Sequence, residues 1–137
     1  GRKKLLMAGS AGMAICLAVV GLVFYLDMAK GYLVLVFILA YIACFALSLG
    51  PLTFVVIGEI FPTRVRGQAM SISIFLLWFS VFLVSQFFPV LLQSIGSAFT
   101  FWIFMLMSIA AFVFVKSAVP ETKGKTLEEI DQLWITD

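Results

Sequence analysis

The chain has 137 residues, 64% of them hydrophobic and 12% charged, with a formal net charge of +2 and a mean hydropathy of +1.18. A soluble domain carries roughly a quarter of its residues as charged side chains, so this composition excludes a water-soluble globule and selects an integral membrane chain. Without a single histidine a histidine-based triad is ruled out, and with no Gly-rich phosphate loop and no basic soluble face, nucleotide chemistry and nucleic-acid binding fall away as well.

A spanning helix needs about 20 mostly apolar residues rising about 1.5 Å each. Four such stretches run at 5–26, 32–57, 68–92 and 98–118, and they are too long and too continuously apolar for membrane β-strands. The sequence therefore predicts an all-α membrane protein of four antiparallel transmembrane helices. Residues 1–4 end a preceding loop, 58–67 connect the second and third spans, and 119–137 form a tail. The first run follows basic residues but lacks a small-x-small cleavage site, so it reads as a span and not as a signal peptide.

In the first span Ala8 and Gly12 form a small-xxx-small pair, with Gly9 and Ala11 beside them, the pattern that lets two helix backbones approach closely. The turn around Asp27 to Gly31 is short, and so is the one at Gln93 to Ser97, so neighbouring spans pack antiparallel. Cys16 and Cys44 fall inside apolar spans as buried small hydrophobes, and neither a disulfide framework nor a metal site is expected.

The second span is interrupted at Gly50-Pro51, because proline removes a backbone donor and frees the carbonyl of Leu47 one turn earlier. A broken helix within a membrane lines a cavity or acts as a hinge. Ala46, Gly50 and Phe54 recur every four residues and form one stripe past the break. The span then runs into Gly58-Glu59-Ile60-Phe61-Pro62-Thr63-Arg64-Val65-Arg66-Gly67, where three charges are held between two membrane-length runs.

In the third span Ser71, Trp78 and Ser85 share a face at intervals of seven. Tryptophans that anchor a helix sit at headgroup level, whereas Trp78 is near mid-span. Two readings are open: an aromatic platform for a partly polar solute, or a filler of the bundle core. After the fourth span Pro120 stops the helix, Gly124 turns the chain, and Thr126-Leu127-Glu128-Glu129 is a capping box that starts a short helix. Leu127, Ile130, Leu133 and Trp134 fall on one face of it, so this amphipathic segment is expected against the membrane surface; Glu128, Glu129 and Asp131 read as solvated. Eight of the nine Lys and Arg residues lie at one side of the spans, and only Lys30 lies at the other. Both ends of the chain and the central loop are therefore expected in the cytoplasm, in a plasma or inner membrane.

Gly1-Arg2-Lys3-Lys4, Gly50-Pro51, Glu59-Ile60-Phe61-Pro62 with Arg66 seven residues after the glutamate, and Pro120-Glu121-Thr122-Lys123-Gly124, in this order, resemble the sugar porter family of the major facilitator superfamily. The resemblance covers essentially the whole chain. It implies that the four spans are the ninth to twelfth helices of a twelve-helix transporter working by alternating access, and that the chain is a fragment whose partners include the other eight helices and the lipid bilayer.

The resemblance also implies roles. Arg2, Lys3, Glu59, Arg66 and Glu121 fall on the positions of an inner salt-bridge network that holds the outward-facing state. Trp78 falls on a tryptophan that neighbours the sugar, and Phe54 on an aromatic position more often tryptophan, with Gly50 beside them. Ala46 stands where glucose-transporting relatives carry a glutamate, and Leu77 replaces a common amide; both changes remove hydrogen-bonding groups that read hydroxyl patterns. The implied substrate is a sugar or polyol, with a non-sugar solute or a non-transporting sensor as alternatives. No carboxylate lies deep within these spans, so uniport and symport with a proton as coupling ion both stay open.

Overall fold

The structure is a computed structural model that describes residues 1–28, 30–121, 124–126, 128–129 and 132. Among the described residues the chain is helical, in the order α1 (Arg2–Tyr25), α2 (Gly31–Leu47), α3 (Leu49–Ile60), α4 (Arg66–Ser94) and α5 (Ser97–Ala118). Counting α2 and α3 as one interrupted span, four segments are long and apolar enough to cross a membrane. In a medium without water every backbone N–H and C=O must find a partner within the segment, and a helix provides that bond by bond.

α1 is the centre of the assembly. Leu6, Ser10, Met13, Ala14, Leu17 and Val20 are all buried on it, and it packs chiefly against α5 and secondly against α2. The small residues of α1 make both approaches possible. A Cβ on Gly12 would fall 2.8 Å from Cys44 Sγ of α2, and one on Gly21 would collide with the Trp102 indole of α5. At one end of the bundle Leu6, Val56 and Val115 form a buried cluster that joins α1, α3 and α5, flanked by Met7, Leu49, Leu52, Ile60 and Val119. Towards the other end aromatic rings do the packing: Phe24 stacks on Phe101 at 5.6 Å, and Phe88 meets Phe101 and Phe104 at 6.1 and 5.6 Å.

The interruption of the second span lies at Ser48, not at Gly50-Pro51. Ser48 has φ −130 and ψ −90, between the end of α2 and the start of α3. Pro51 occupies the third position of α3, where a backbone N–H needs no intrahelical partner, so the ring is tolerated and the helix parts one turn earlier. The Ser48 hydroxyl caps the break by donating to the Cys44 carbonyl at 2.5 Å. In α4 Pro89 lies inside the helix without ending it.

α5 stops at Ala118, with Val119 extended ahead of Pro120. Gly124 turns the chain at φ 79. Thr126 and Glu129 form the expected reciprocal cap: the Thr126 N–H donates to the Glu129 carboxylate at 2.9 Å and the Glu129 N–H to the Thr126 hydroxyl at 3.3 Å. The expected amphipathic face of Leu127, Ile130, Leu133 and Trp134 lies outside the described residues, as do Asp131 and the Thr122 and Lys123 of the Pro-Glu-Thr-Lys-Gly sequence.

Candidate functional site

The charged end of the bundle gathers three separate stretches of sequence. Arg2, in the first turn of α1, forms an ion pair with Glu59 in the last turn of α3. The Glu121 carboxylate, just beyond α5, lies against Gly1, the neighbour of Arg2. Lys3 follows in the same first turn of α1, partly buried. Arg66 opens α4, and its guanidinium donates through two nitrogens to the Phe61 carbonyl at 3.3 and 3.2 Å. That bond ties the start of α4 to the chain two residues past Glu59. Of the five charged residues singled out from sequence, Arg2 and Glu59 thus touch directly, Glu121 closes on the residue before Arg2, and Arg66 braces the loop by its backbone.

The Arg2 and Glu59 side chains are 38% and 30% exposed, so the pair is neither fully solvated nor dry. A pair in that setting contributes on the order of 1 kcal/mol or less, enough to bias a two-state equilibrium but not to determine a fold.

The apolar candidates lie elsewhere. Trp78 is 62% and Phe54 42% exposed, and no residue of α4 is buried. Gly50 sits in the first turn of α3, and a Cβ there would fall 3.2 Å from the Phe45 carbonyl and 3.3 Å from its ring. The absence of a side chain at that position lets the end of α2 fold close over the start of α3.

Ser85, two helical repeats along the Trp78 face, lines a cleft of about 470 Å³ between α1, α2, α4 and α5, together with Tyr41, Ile42, Val84, Phe88 and Phe101. Sequence reasoning did not single out Tyr41. Its one signal was a phenol in the middle of an otherwise apolar run, a pattern shared by many aromatics that simply fill a core.

A profile for the family described as "Sugar (and other) transporter" matches residues 1–134. The chain belongs to that family. It is 45% identical to the arabinose-proton symporter of Bacillus subtilis over 135 residues, which is 98% of this chain and 29% of the relative. It is 41% identical to the D-xylose-proton symporter of Escherichia coli, covering 98% of this chain and 28% of that one. With the glucose facilitated diffusion protein of Zymomonas mobilis the identity is 39%, over 98% of this chain and 29% of the relative. Among solved structures it resembles the inward-open xylose transporter XylE from E. coli, with a TM-score of 0.91 at 42% identity over 98% of this chain and 30% of that one. A XylE structure bound to 6-bromo-6-deoxy-D-glucose matches with a TM-score of 0.89 at 41% identity, again over 98% of this chain and 29% of that one.

The chain therefore spans under a third of the length of these relatives. The fold is all-α and multi-pass, part of a major facilitator transporter, as the sequence motifs implied.

Proposed function

We propose that these residues are the last four spans, the ninth to twelfth, of a twelve-helix transporter that moves a sugar or polyol across a membrane by alternating access. The Arg2–Glu59 ion pair carries the reading. It joins a basic loop end to the terminus of a broken helix, which is where a contact that is made in one state and lost in the other must sit. Glu121 and Arg66, gathered at the same end, extend it to a network, with Lys3 in the first turn. Both ends of the chain and the charged loop are cytoplasmic in this proposal, in accord with the distribution of Lys and Arg.

Trp78, Phe54 and Gly50 border the solute in this reading. Exposed aromatics such as Trp78 and Phe54 supply stacking surface and little hydrogen bonding, so in this reading the polar groups that select among sugars come from the remaining eight helices. The relatives include both proton symporters and a facilitated diffusion protein, and the four spans hold no carboxylate at mid-depth through which a proton would have to pass. Proton coupling, where it exists, resides outside these helices.

Uptake by cells expressing the full-length transporter tests the proposal. Saturable accumulation of a labelled pentose, hexose or inositol, competed by the unlabelled sugar, is the expected result. Transport of an organic ion or aromatic acid with no competition from sugars or polyols would replace the substrate class, a reading that the apolar Ala46 and Leu77 would suit. No uptake of any solute by a well-expressed, correctly inserted protein would leave the sensor reading.

A further inference from the structure

Between residues 31 and 60 only Ser48 and Val56 are buried, and Ser48, at 1% exposure, is the more completely enclosed. It is also the residue at which the span parts. Gly9 of α1 encloses it: a Cβ at Gly9 would overlap both the Oγ and the Cβ of Ser48, and the next atom it would meet, the Cys44 carbonyl oxygen, is 3.4 Å away, at ordinary van der Waals distance. The Ser48 side chain thus fills a socket left in α1 by one missing methyl group. Its hydroxyl is satisfied within its own span by the Cys44 carbonyl at 2.5 Å, so shape is what seats it on α1. One turn earlier Cys44 is seated in the same way, against Gly12.

We propose that Ser48 in its Gly9 socket is a fixed fulcrum, about which α3 turns while the end of α2 keeps its place on α1; the inference rests on the alternating-access reading above. Two steric seats, at Gly12 and Gly9, hold the α2 side of the joint. On the α3 side the backbone ladder is thinned: the Ser48 N–H reaches only three residues back, to the Phe45 carbonyl at 3.2 Å, and Pro51 has no N–H to offer the Leu47 carbonyl. Gly50-Pro51 therefore loosens the joint and Ser48 locates it. The far end of the lever carries Glu59, eleven residues from Ser48, or about 16 Å at the rise of a helix. A turn of about 10° at Ser48 carries Glu59 about 3 Å over that length, enough to part it from Arg2, since an ion pair of this kind acts at contact distance. Midway along the lever Val56 meets Leu6 and Val115, and apolar contact of that sort is non-directional and yields to a small rotation.

The test uses the full-length transporter in lipid nanodiscs, with nitroxides attached in pairs through a genetically encoded keto amino acid so that no cysteine is replaced. One pair, Leu5 of α1 and Val55 of α3, spans the lever; the other, Ile15 of α1 and Leu39 of α2, spans the fixed side, and all four positions are exposed. Electron paramagnetic resonance is expected to give two distances for the first pair, their ratio shifting about two- to fivefold in Glu59→Gln, and one distance for the second pair that Glu59→Gln leaves unchanged. Gly9→Ala drives a methyl group into the socket and should broaden the Ile15–Leu39 distribution. Adding Ser48→Gly empties the socket and should narrow that distribution again, which a general loss of packing would not do. The pairs with Gly9 intact carry the primary readout, so the result does not depend on that variant folding. Equal movement of both pairs, a single unshifted distance between Leu5 and Val55, or broadening that persists in the double variant would overturn the fulcrum. Sugar uptake by the same protein is measured in parallel: uptake with an unmoving lever overturns the fulcrum alone, and a moving lever without uptake overturns the transporter proposal alone.

Discussion

Arg2 at the start of α1 and Glu59 at the end of α3 are ion-paired across 57 positions of sequence, so the N-terminal segment is clamped to the half-helix below the Ser48 break. In an alternating-access cycle a contact of this kind acts only on the state in which it forms. Glu59→Gln removes the charge while keeping the shape. The expected cost is about 0.5–1 kcal/mol to the inner-closed state, which shifts the inward to outward ratio about two- to fivefold towards inward-facing. Thiol labelling of single cysteines in the cavity that the proposal places on the cytoplasmic side of the full-length transporter reads this out. Labelling should rise for Glu59→Gln and for Arg2→Ala, and Glu59→Arg with Arg2→Glu should recover part of the loss; unchanged labelling in all three means that the pair does not gate.

Trp102 provides the main polar anchor between the two helices that pack most extensively. Its indole N–H donates to the Ala18 carbonyl at 3.3 Å, its ring leans on Tyr25 at 5.5 Å, and Gly21 leaves the space that it occupies. Gly21→Val inserts a branched side chain into the indole and should destabilise the bundle by about 1–3 kcal/mol. Trp102→Phe keeps most of the apolar area and loses the hydrogen bond, at about 0.5–1.5 kcal/mol. Thermal unfolding of the detergent-solubilised transporter should therefore rank wild type above Trp102→Phe above Gly21→Val. An unperturbed midpoint for Gly21→Val would show that α5 does not press on α1 at that position.

Much of this was legible from the chain itself, because lipid imposes so few choices. Hydropathy alone dictates helices, and the motifs at the helix ends single out five charged residues, of which Arg2 and Glu59 form an ion pair. The position of the break was harder to read. Proline announces a weak point, but the chain parts where the preceding turn can be capped, and the Ser48 hydroxyl provides that cap. The seating of Cys44 against Gly12 depends on the register of α1 against α2, which helical periodicity within one segment does not encode. Arg66 was matched to a network of side chains, whereas its observed bond is to a backbone carbonyl, a partner no motif records.

Trp78 offers a wide apolar surface on a helix with no buried residue, which suits a residue whose contacts are made with solute or with helices beyond this segment. Trp78→Ala in the full-length transporter should weaken solute binding by about 1–3 kcal/mol, roughly a 5- to 150-fold change in apparent affinity. Phe54→Ala should act in the same direction with a smaller effect. Binding is measured at matched surface expression. An unaltered affinity accompanied by a lowered unfolding temperature would assign Trp78 to packing between helices.

The final prediction concerns the 137 residues in isolation. α1 is well covered by its neighbours, but neither α2 nor α4 has a buried residue, and large side chains such as Phe75, Leu76, Phe79 and Phe82 stand exposed along α4. Lipid covers apolar faces readily, so exposure alone does not unfold these helices. What lipid cannot replace is a second wall for a solute pathway. The cleft between α1, α2, α4 and α5 is apolar, with Tyr41 and Ser85 as the polar residues of its lining, too few polar groups to stand in for the hydration of a sugar. The isolated segment, reconstituted in liposomes, is accordingly expected to insert as helices by circular dichroism and to give sugar flux no greater than protein-free vesicles. Supplying the eight further helices of the proposed transporter as a separate polypeptide should restore uptake if the break and the Arg2–Glu59 clamp lie within a divided but complete transporter. Saturable, stereoselective flux through the 137 residues alone would mean that these four spans form a pathway by themselves, and the twelve-helix proposal would fall.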